Sequence, residues 1–328
     1  MLQAVILMVI VMAASVSAQD AGQPAAEIAT RSSEAPAPPP QVSQTAAPSP
    51  SQPPSRLVPF SVVATVLDSN INHDADDLGS YGMVAGLGAT FKNDPVRPTL
   101  EVQYEAGFHR YANTDRWNRV SQHLRAAWER RLNRRFTFEQ VGEISIKGST
   151  EDHELSNQAV VSPRLEYRVV SWLRIRGIGV WRVKRYDDTP DRNAFNRYAA
   201  LELIGRPQSG LRWTIGGRGE LNAAESTRQR YERWTWYFEA SVPVGKRDRI
   251  EVGSRYLRQH YPHRLVDVSG GPDVPRRDAR VEPEVDWYHA LGDRVELRAG
   301  YAFDTRDSND PRRVYRSHQT AFSILTRW

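Results

Sequence analysis

From residue 59 to the C-terminus, apolar and polar residues alternate one for one along most of the chain. The last stretch shows the pattern plainly. Its even positions are His318, Thr320, Phe322, Ile324, Thr326 and Trp328; its odd positions are Gln319, Ala321, Ser323, Leu325 and Arg327. A repeat of two marks a β-strand whose faces meet different surroundings. About 9–11 such residues are enough for a tilted strand to cross a bilayer. Other segments repeat the design. Leu100, Val102, Tyr104, Ala106 and Phe108 oppose Glu101, Gln103 and Glu105. Leu173, Ile175, Trp181 and Val183 oppose Arg174, Arg176, Arg182 and Lys184. Leu211, Trp213, Ile215 and Leu221 oppose Arg212, Thr214, Arg218 and Glu220, and Trp234, Trp236 and Phe238 oppose Arg233, Thr235 and Glu239.

The pattern predicts strands at 59–68, 80–92, 98–111, 117–131, 135–147, 158–170, 172–186, 196–205, 211–221, 231–244, 249–261, 280–290, 294–304 and 315–328. Fourteen is an even number, as single-chain bacterial barrels require. The connections alternate between short turns, such as Leu132-Asn-Arg134 and Leu291-Gly-Asp293, and longer loops, the longest at 262–279. A soluble sandwich would also alternate apolar and charged positions, but it would not phase its loops this way. The expected fold is therefore all-β: a fourteen-stranded antiparallel transmembrane barrel over residues 57–328. Two positions fit poorly: Gln122 falls on the apolar face, and Glu282 to Asp286 form an acidic run.

Aromatic residues gather near strand ends, where membrane barrels carry interfacial girdles. Trp128, Phe136, Trp213, Trp287 and Trp328 adjoin short connections; Tyr81, Tyr111, Trp117, Tyr198 and Tyr315 adjoin long ones. The expected membrane girdle is Trp117, Trp128, Trp213, Trp287 and Trp328.

The N-terminal segments read differently. Residues 1–18 carry an apolar run ending at Val16-Ser17-Ala18, as in a secretory signal peptide. Residues 19–56 are rich in Pro, Ala, Ser and Gln and predict a disordered periplasmic arm, either a spacer or a tether for a periplasmic partner.

Composition sharpens the picture of the charged face. The chain has no cysteine, so disulfides and thiolate chemistry are excluded. Only four of its 44 basic residues are lysine (Lys92, Lys147, Lys184, Lys246), and the remainder are arginine. The guanidinium fork suits carboxylate, sulfate and phosphate better than ammonium does. Arg164, Arg168, Arg174, Arg176, Arg182, Arg212, Arg218 and Arg233, with Glu101, Glu105, Glu166 and Glu220, are the candidate lumen residues. Two arrangements are open: a cross-paired Arg/Glu wall, or an Arg ladder guiding anionic solutes.

The alternation, the loop phasing and the terminal Trp328 resemble bacterial outer-membrane β-barrels of the porin-like kind. The Asp68-Ser-Asn-Ile-Asn72 run is similar to one in porin-like barrels found beside exopolysaccharide genes and in the barrels of surface-lipoprotein assembly modifiers. The resemblance implies an outer-membrane location, contact with lipid and lipopolysaccharide, and recognition of the C-terminal strand by barrel-assembly machinery. It also implies a channel for small or polymeric charged solutes; the alternative is a non-conducting assembly barrel that recruits a partner through its Pro-rich arm. No cofactor or metal is expected. The Asp68-x-Asn70-x-Asn72 spacing lacks the Gly and Glu of a calcium loop, having His73 and Gly79 there. Ser121 and His123 share a face, and His289 and His318 lie in apolar parity, but no third group completes a catalytic set, so no enzyme is expected. Basic residues alternate with acids, which speaks against nucleic-acid binding.

Overall fold

The computed structural model describes residues 56–73, 75, 78–93, 99–115, 117–149, 155–207, 210–267 and 272–328. The expected signal peptide, and the expected arm up to residue 55, lie outside the described residues. Fourteen strands form one closed antiparallel barrel. They are β1 (Arg56–Asp68), β2 (Ser80–Asn93), β3 (Thr99–Tyr111), β4 (Arg119–Arg131), β5 (Phe136–Ser149), β6 (Leu155–Val170), β7 (Leu173–Arg185), β8 (Ala194–Gly205), β9 (Arg212–Ala224), β10 (Tyr231–Val244), β11 (Asp248–Val266), β12 (Val274–Ala290), β13 (Val295–Ser308) and β14 (Tyr315–Arg327). Each strand pairs with the next, and β1 closes on β14 from Phe60↔Arg327 to Asp68↔Gln319. Closure pairs every edge, which a bilayer demands because it offers no water to unpaired backbone groups. The tight turns gather at one end of the barrel; Gly292 takes φ 115° in the β12–β13 turn, a conformation that disfavours any side chain.

The two faces of the wall differ. The outward residues include Leu57, Val63, Leu67, Met83, Leu87, Phe108, Leu201, Ile215, Trp234 and Phe322, all large, apolar and exposed. Such a continuous apolar surface has a stable place only against lipid. The inward residues alternate with them and are the less accessible set. The acidic run on β12 resolves on this basis: Glu282 and Asp286 are buried, while Val285 and Trp287, on either side of Asp286, are exposed. Gln122 does point outward, where its Oε1 accepts a hydrogen bond from the Tyr104 hydroxyl at 3.4 Å.

Burial also varies along the axis. Near the loop end the inward side chains are packed: Asp68, His109, Asn196, Glu220, Arg233, Gln259, Arg280, Asp304 and Gln319 are all buried. Near the turn end, Glu139, Arg164, Arg174 and Arg249 are only partly so. One inward patch is apolar, with Ala64, Val66, Val84, Ala302 and Ala321 packed together. Beside it the first loop bends inward: Ile71 packs with Tyr111 and Trp117, and His73 Nδ1 lies 3.2 Å from Asp304 Oδ2 on β13.

Three expectations need correction. Trp117 is 1 % exposed in that loop-end cluster, so it faces protein and not lipid; it lies outside the regular strands, where alternation assigns no face. Tyr111 and Tyr315 are likewise buried on the inner side, and Tyr198 sits between Arg182 and Arg218. The loop-end aromatic residues that do face outward are Tyr81, Trp181, Phe195, Trp234 and Trp236. Finally, the long 262–279 loop is mostly strand: β11 and β12 continue as a hairpin past a register shift between Tyr261 and Leu265, pairing Leu265 with Pro275 and Val266 with Val274. Outside the membrane both faces of a hairpin meet water, so no apolar alternation marks it in the sequence.

Candidate functional site: the charged inner wall

All the candidate Arg and Glu residues lie on the inner face, and the strand register explains which of them meet. Arg176 stands opposite Glu166 on β6 and Glu202 on β8. Glu139 stands opposite Arg164, Arg125 opposite Glu143, and Arg233 opposite Glu220. Opposite charges directly across a strand pair attract, and here they link into chains. Glu166 receives Arg174 at 2.6 Å and Arg176 at 3.1 Å, and Arg176 reaches on to Glu202 at 3.3 Å. The Tyr237 hydroxyl donates to the other Glu202 oxygen at 2.8 Å. A second chain joins Glu101, Arg125, Glu139 and Arg164 through contacts of 3.3–3.5 Å.

Near the turn end, these chains surround a cavity of about 220 Å³, lined by Glu129, Glu139, Glu166, Arg164, Arg168, Arg174, Arg176 and Arg206 among others. Arg206, in the β8–β9 turn, has its pKa held below the usual guanidinium value by burial first and then by the charge of Arg174. Higher up, Arg182 and Arg218 flank the Tyr198 ring at 5.7 and 5.1 Å, and Arg233 lies 4.6 Å from the Tyr231 ring centre. Arg212 stands opposite Ser241, and Glu105 is buried opposite Gly88 and His123.

Sequence reasoning missed the densest network. Arg280 is fully buried and grips Asp304 through two hydrogen bonds of 2.7 Å, while its Nε also lies 2.8 Å from Glu282 Oε1. Arg276 is paired with Asp278, and the Tyr315 hydroxyl donates to Asp304 at 3.0 Å. Arg276, Asp278 and Arg280 alternate as inner residues of β12, but the first two fell in the expected 262–279 loop. Ser121 meets His109, not His123, with Oγ and Nε2 2.9 Å apart. His109 Nδ1 has no hydrogen-bond partner among the described residues, so no orienting carboxylate completes a triad. The Asp68 carboxylate accepts the Asn70 backbone N–H at 2.7 Å, which makes it a loop-fixing group. Among the described residues no cluster of His, Asp and Glu could hold a metal ion.

Among the outward aromatics, Trp213, Trp287 and Trp328 lie near the turn end, and Trp128 packs edge-on against Phe138 at 6.1 Å. Trp287 Nε1 donates to Asp248 at 2.9 Å, and its ring stacks on His289. Trp328 donates its backbone N–H to Pro59 O at 3.2 Å, tying the last residue to β1.

No protein-family model matches the sequence, and no curated protein matches it. Solved structures do. The outer membrane channel DcaP of Acinetobacter baumannii superposes with a TM-score of 0.52 at 8% identity, over 84% of this chain and 97% of that one. An anion-selective porin from Comamonas acidovorans matches with a TM-score of 0.48 at 11% identity, over 84% and 99% of the two chains. A bacterial polysaccharide outer membrane secretin matches with a TM-score of 0.48 at 10% identity, over 82% and 98%. At these identities the likeness is one of fold. The architecture is that of the bacterial outer-membrane β-barrels, and the exposed apolar surface agrees with that location.

Proposed function

We propose that the protein is a porin-like outer-membrane channel that passes small charged solutes along its Arg/Glu inner wall. The observation that carries this reading is the axial gradient of the interior. A barrel built only as a scaffold gains nothing from charged side chains inside it, since charges removed from water cost several kcal/mol each unless paired. Here charged side chains run along the inner face, buried and for the most part paired toward the loop end and part-exposed around the 220 Å³ cavity at the turn end. That arrangement supports a hydrated bore with a braced wall. Pairing favours weak discrimination along the wall over a bare arginine ladder, because each guanidinium there already has a carboxylate neighbour in the Glu166 and Glu139 chains.

On this reading the inner groups position and screen solutes and catalyse nothing. On the same reading the exposed outer-face arginines near the loop end, Arg110, Arg197, Arg258 and Arg277, would meet lipopolysaccharide phosphates, and the Trp328-terminated strand would be read by barrel-assembly machinery. The test is solute flux. Proteoliposomes holding the purified barrel should swell in isosmotic solutions of small charged solutes and resist larger ones. Vesicles that stay osmotically tight with correctly folded barrel would remove the channel reading and favour a barrel whose Pro-rich segment, residues 19–56, recruits a partner.

A further inference from the structure

The turn-end cavity carries more positive charge than its own carboxylates balance. Of the described residues that line it, six are arginine and three are glutamate. Glu166 is shared by Arg174 and Arg176, and Glu139 by Arg164 and Arg125. Arg131 is turned to the backbone of its own turn, where Nε donates to Asn133 O at 3.0 Å and Nη2 to Arg134 O at 3.3 Å. Arg168 and Arg206 remain. Their side chains make no hydrogen bond or ion pair with any described residue, and both line the cavity. Glu129 is also without an ion pair among the described residues, but it belongs to β4 and stands opposite Glu139, not opposite an arginine.

The two spare guanidiniums are held in place by backbone and not by carboxylates. The Arg168 N–H donates to Arg135 O at 2.8 Å, and the Arg206 N–H to Trp172 O at 2.7 Å. Arg168 stands directly across the β6–β7 pair from Arg174, and the pairing slips just beyond it, between Arg168 and Val170. Like charges placed opposite each other on paired strands are destabilising. Arg206 is in a similar position. Besides its burial, the charges that weigh on it are Arg174, Arg212 and Arg176, with Glu166 opposing them.

A group of guanidiniums that outnumbers its carboxylates is relieved when an anion enters among them. The planar fork of each suits the paired oxygens of a carboxylate or phosphate. At about 220 Å³ the cavity exceeds what a single ion needs and falls short of the roughly 300–1,000 Å³ of pockets for drug-sized ligands. We infer that the turn-end cavity binds small organic polyanions, bearing carboxylate or phosphate groups, with Arg168 and Arg206 as the residues that receive them. Short turns face the periplasm in this architecture, so the site lies at the periplasmic mouth. The inference gives the channel reading a substrate class; it rests on that reading for transport and not for binding.

The test is calorimetric titration of the detergent-solubilised full-length protein at low salt with citrate and, separately, with glycerol phosphate. Acetate and glycerol are the singly charged and neutral controls. At least one polyanion should bind and neither control should. Heat with citrate alone assigns the site to polycarboxylates, and heat with glycerol phosphate alone to phosphate esters. The Arg168→Gln/Arg206→Gln variant should bind at least tenfold more weakly. Arg130→Gln, which removes an exposed charge from β4 without touching the cavity, should bind as the parent does. Glu129→Gln should tighten binding severalfold, a gain that no folding defect produces, which covers the case of a double variant that fails to fold. Absence of heat with both polyanions, acetate binding as tightly as they do, equal binding by the folded double variant, or an unmoved affinity in Glu129→Gln overturns the site. Polyanion binding in a barrel that carries no flux leaves the site standing and removes the channel reading. Flux without polyanion binding does the reverse.

Discussion

Arg280 offers the sharpest test of how the loop half of the bore is held. Its side chain is fully buried and fixes Asp304 through two hydrogen bonds of 2.7 Å, with Glu282 at 2.8 Å. Replacing it with alanine takes the guanidinium away from two buried carboxylates. Removing one partner of a buried ion pair generally costs about 3–5 kcal/mol. Two features push the value toward the lower end. Asp304 keeps the Tyr315 hydroxyl at 3.0 Å and His73 at 3.2 Å, and Glu282 keeps Arg255 at 3.1 Å. The expected loss for Arg280→Ala is therefore about 3 kcal/mol. The assay is reversible urea unfolding of the refolded barrel in phospholipid vesicles, followed by tryptophan fluorescence. A double-mutant cycle separates pairing from volume: Arg280→Met with Asp304→Leu should recover about 2 kcal/mol relative to the sum of the single losses. A loss below about 1 kcal/mol for Arg280→Ala, typical of exposed pairs, would refute the view that this network is desolvated and structural.

Other outcomes follow from the same geometry. Leu201→Arg places a charge on the exposed apolar face and should cost about 2–4 kcal/mol in vesicle unfolding, whereas Thr214→Arg, inward on β9, should cost far less; equal losses would mean the faces are misassigned. At Gly205 an added Cβ would overlap the Trp213 indole, so Gly205→Ala should expel that ring, cost about 1–3 kcal/mol and shift the Trp213 emission; an unchanged spectrum would contradict the close packing. Glu166→Gln leaves Arg174 and Arg176 without their shared carboxylate, and should move ion selectivity toward anions in bilayer recordings; an unmoved reversal potential would show that the turn-end cavity lies off the conduction path.

The strands were legible because the physics that makes them is local. A wall with lipid on one side and a charged bore on the other writes a repeat of two into each strand, and β3, β7, β9 and β10 carry it without ambiguity. Where both faces meet similar surroundings the signal fails. β1 is apolar inward as well as outward, so its packing against Val84, Ala302 and Ala321 emerges only when the barrel closes. The far ends of β11 and β12 stand in water and read as loop. Parity within β3 already set Tyr111 with Glu101 and Glu105 on the inner face, a sign that proximity to a loop had obscured. Which Arg would meet which Glu depended on register, a non-local quantity; Arg176 finds both Glu166 and Glu202 only because β6 and β8 flank β7 at those offsets.

The central claim is that the barrel conducts. Single-channel recording of the refolded protein in planar bilayers tests it most directly. Discrete, steady conductance steps are the expected result. A barrel that inserts fully folded and stays electrically silent at every voltage would contradict it.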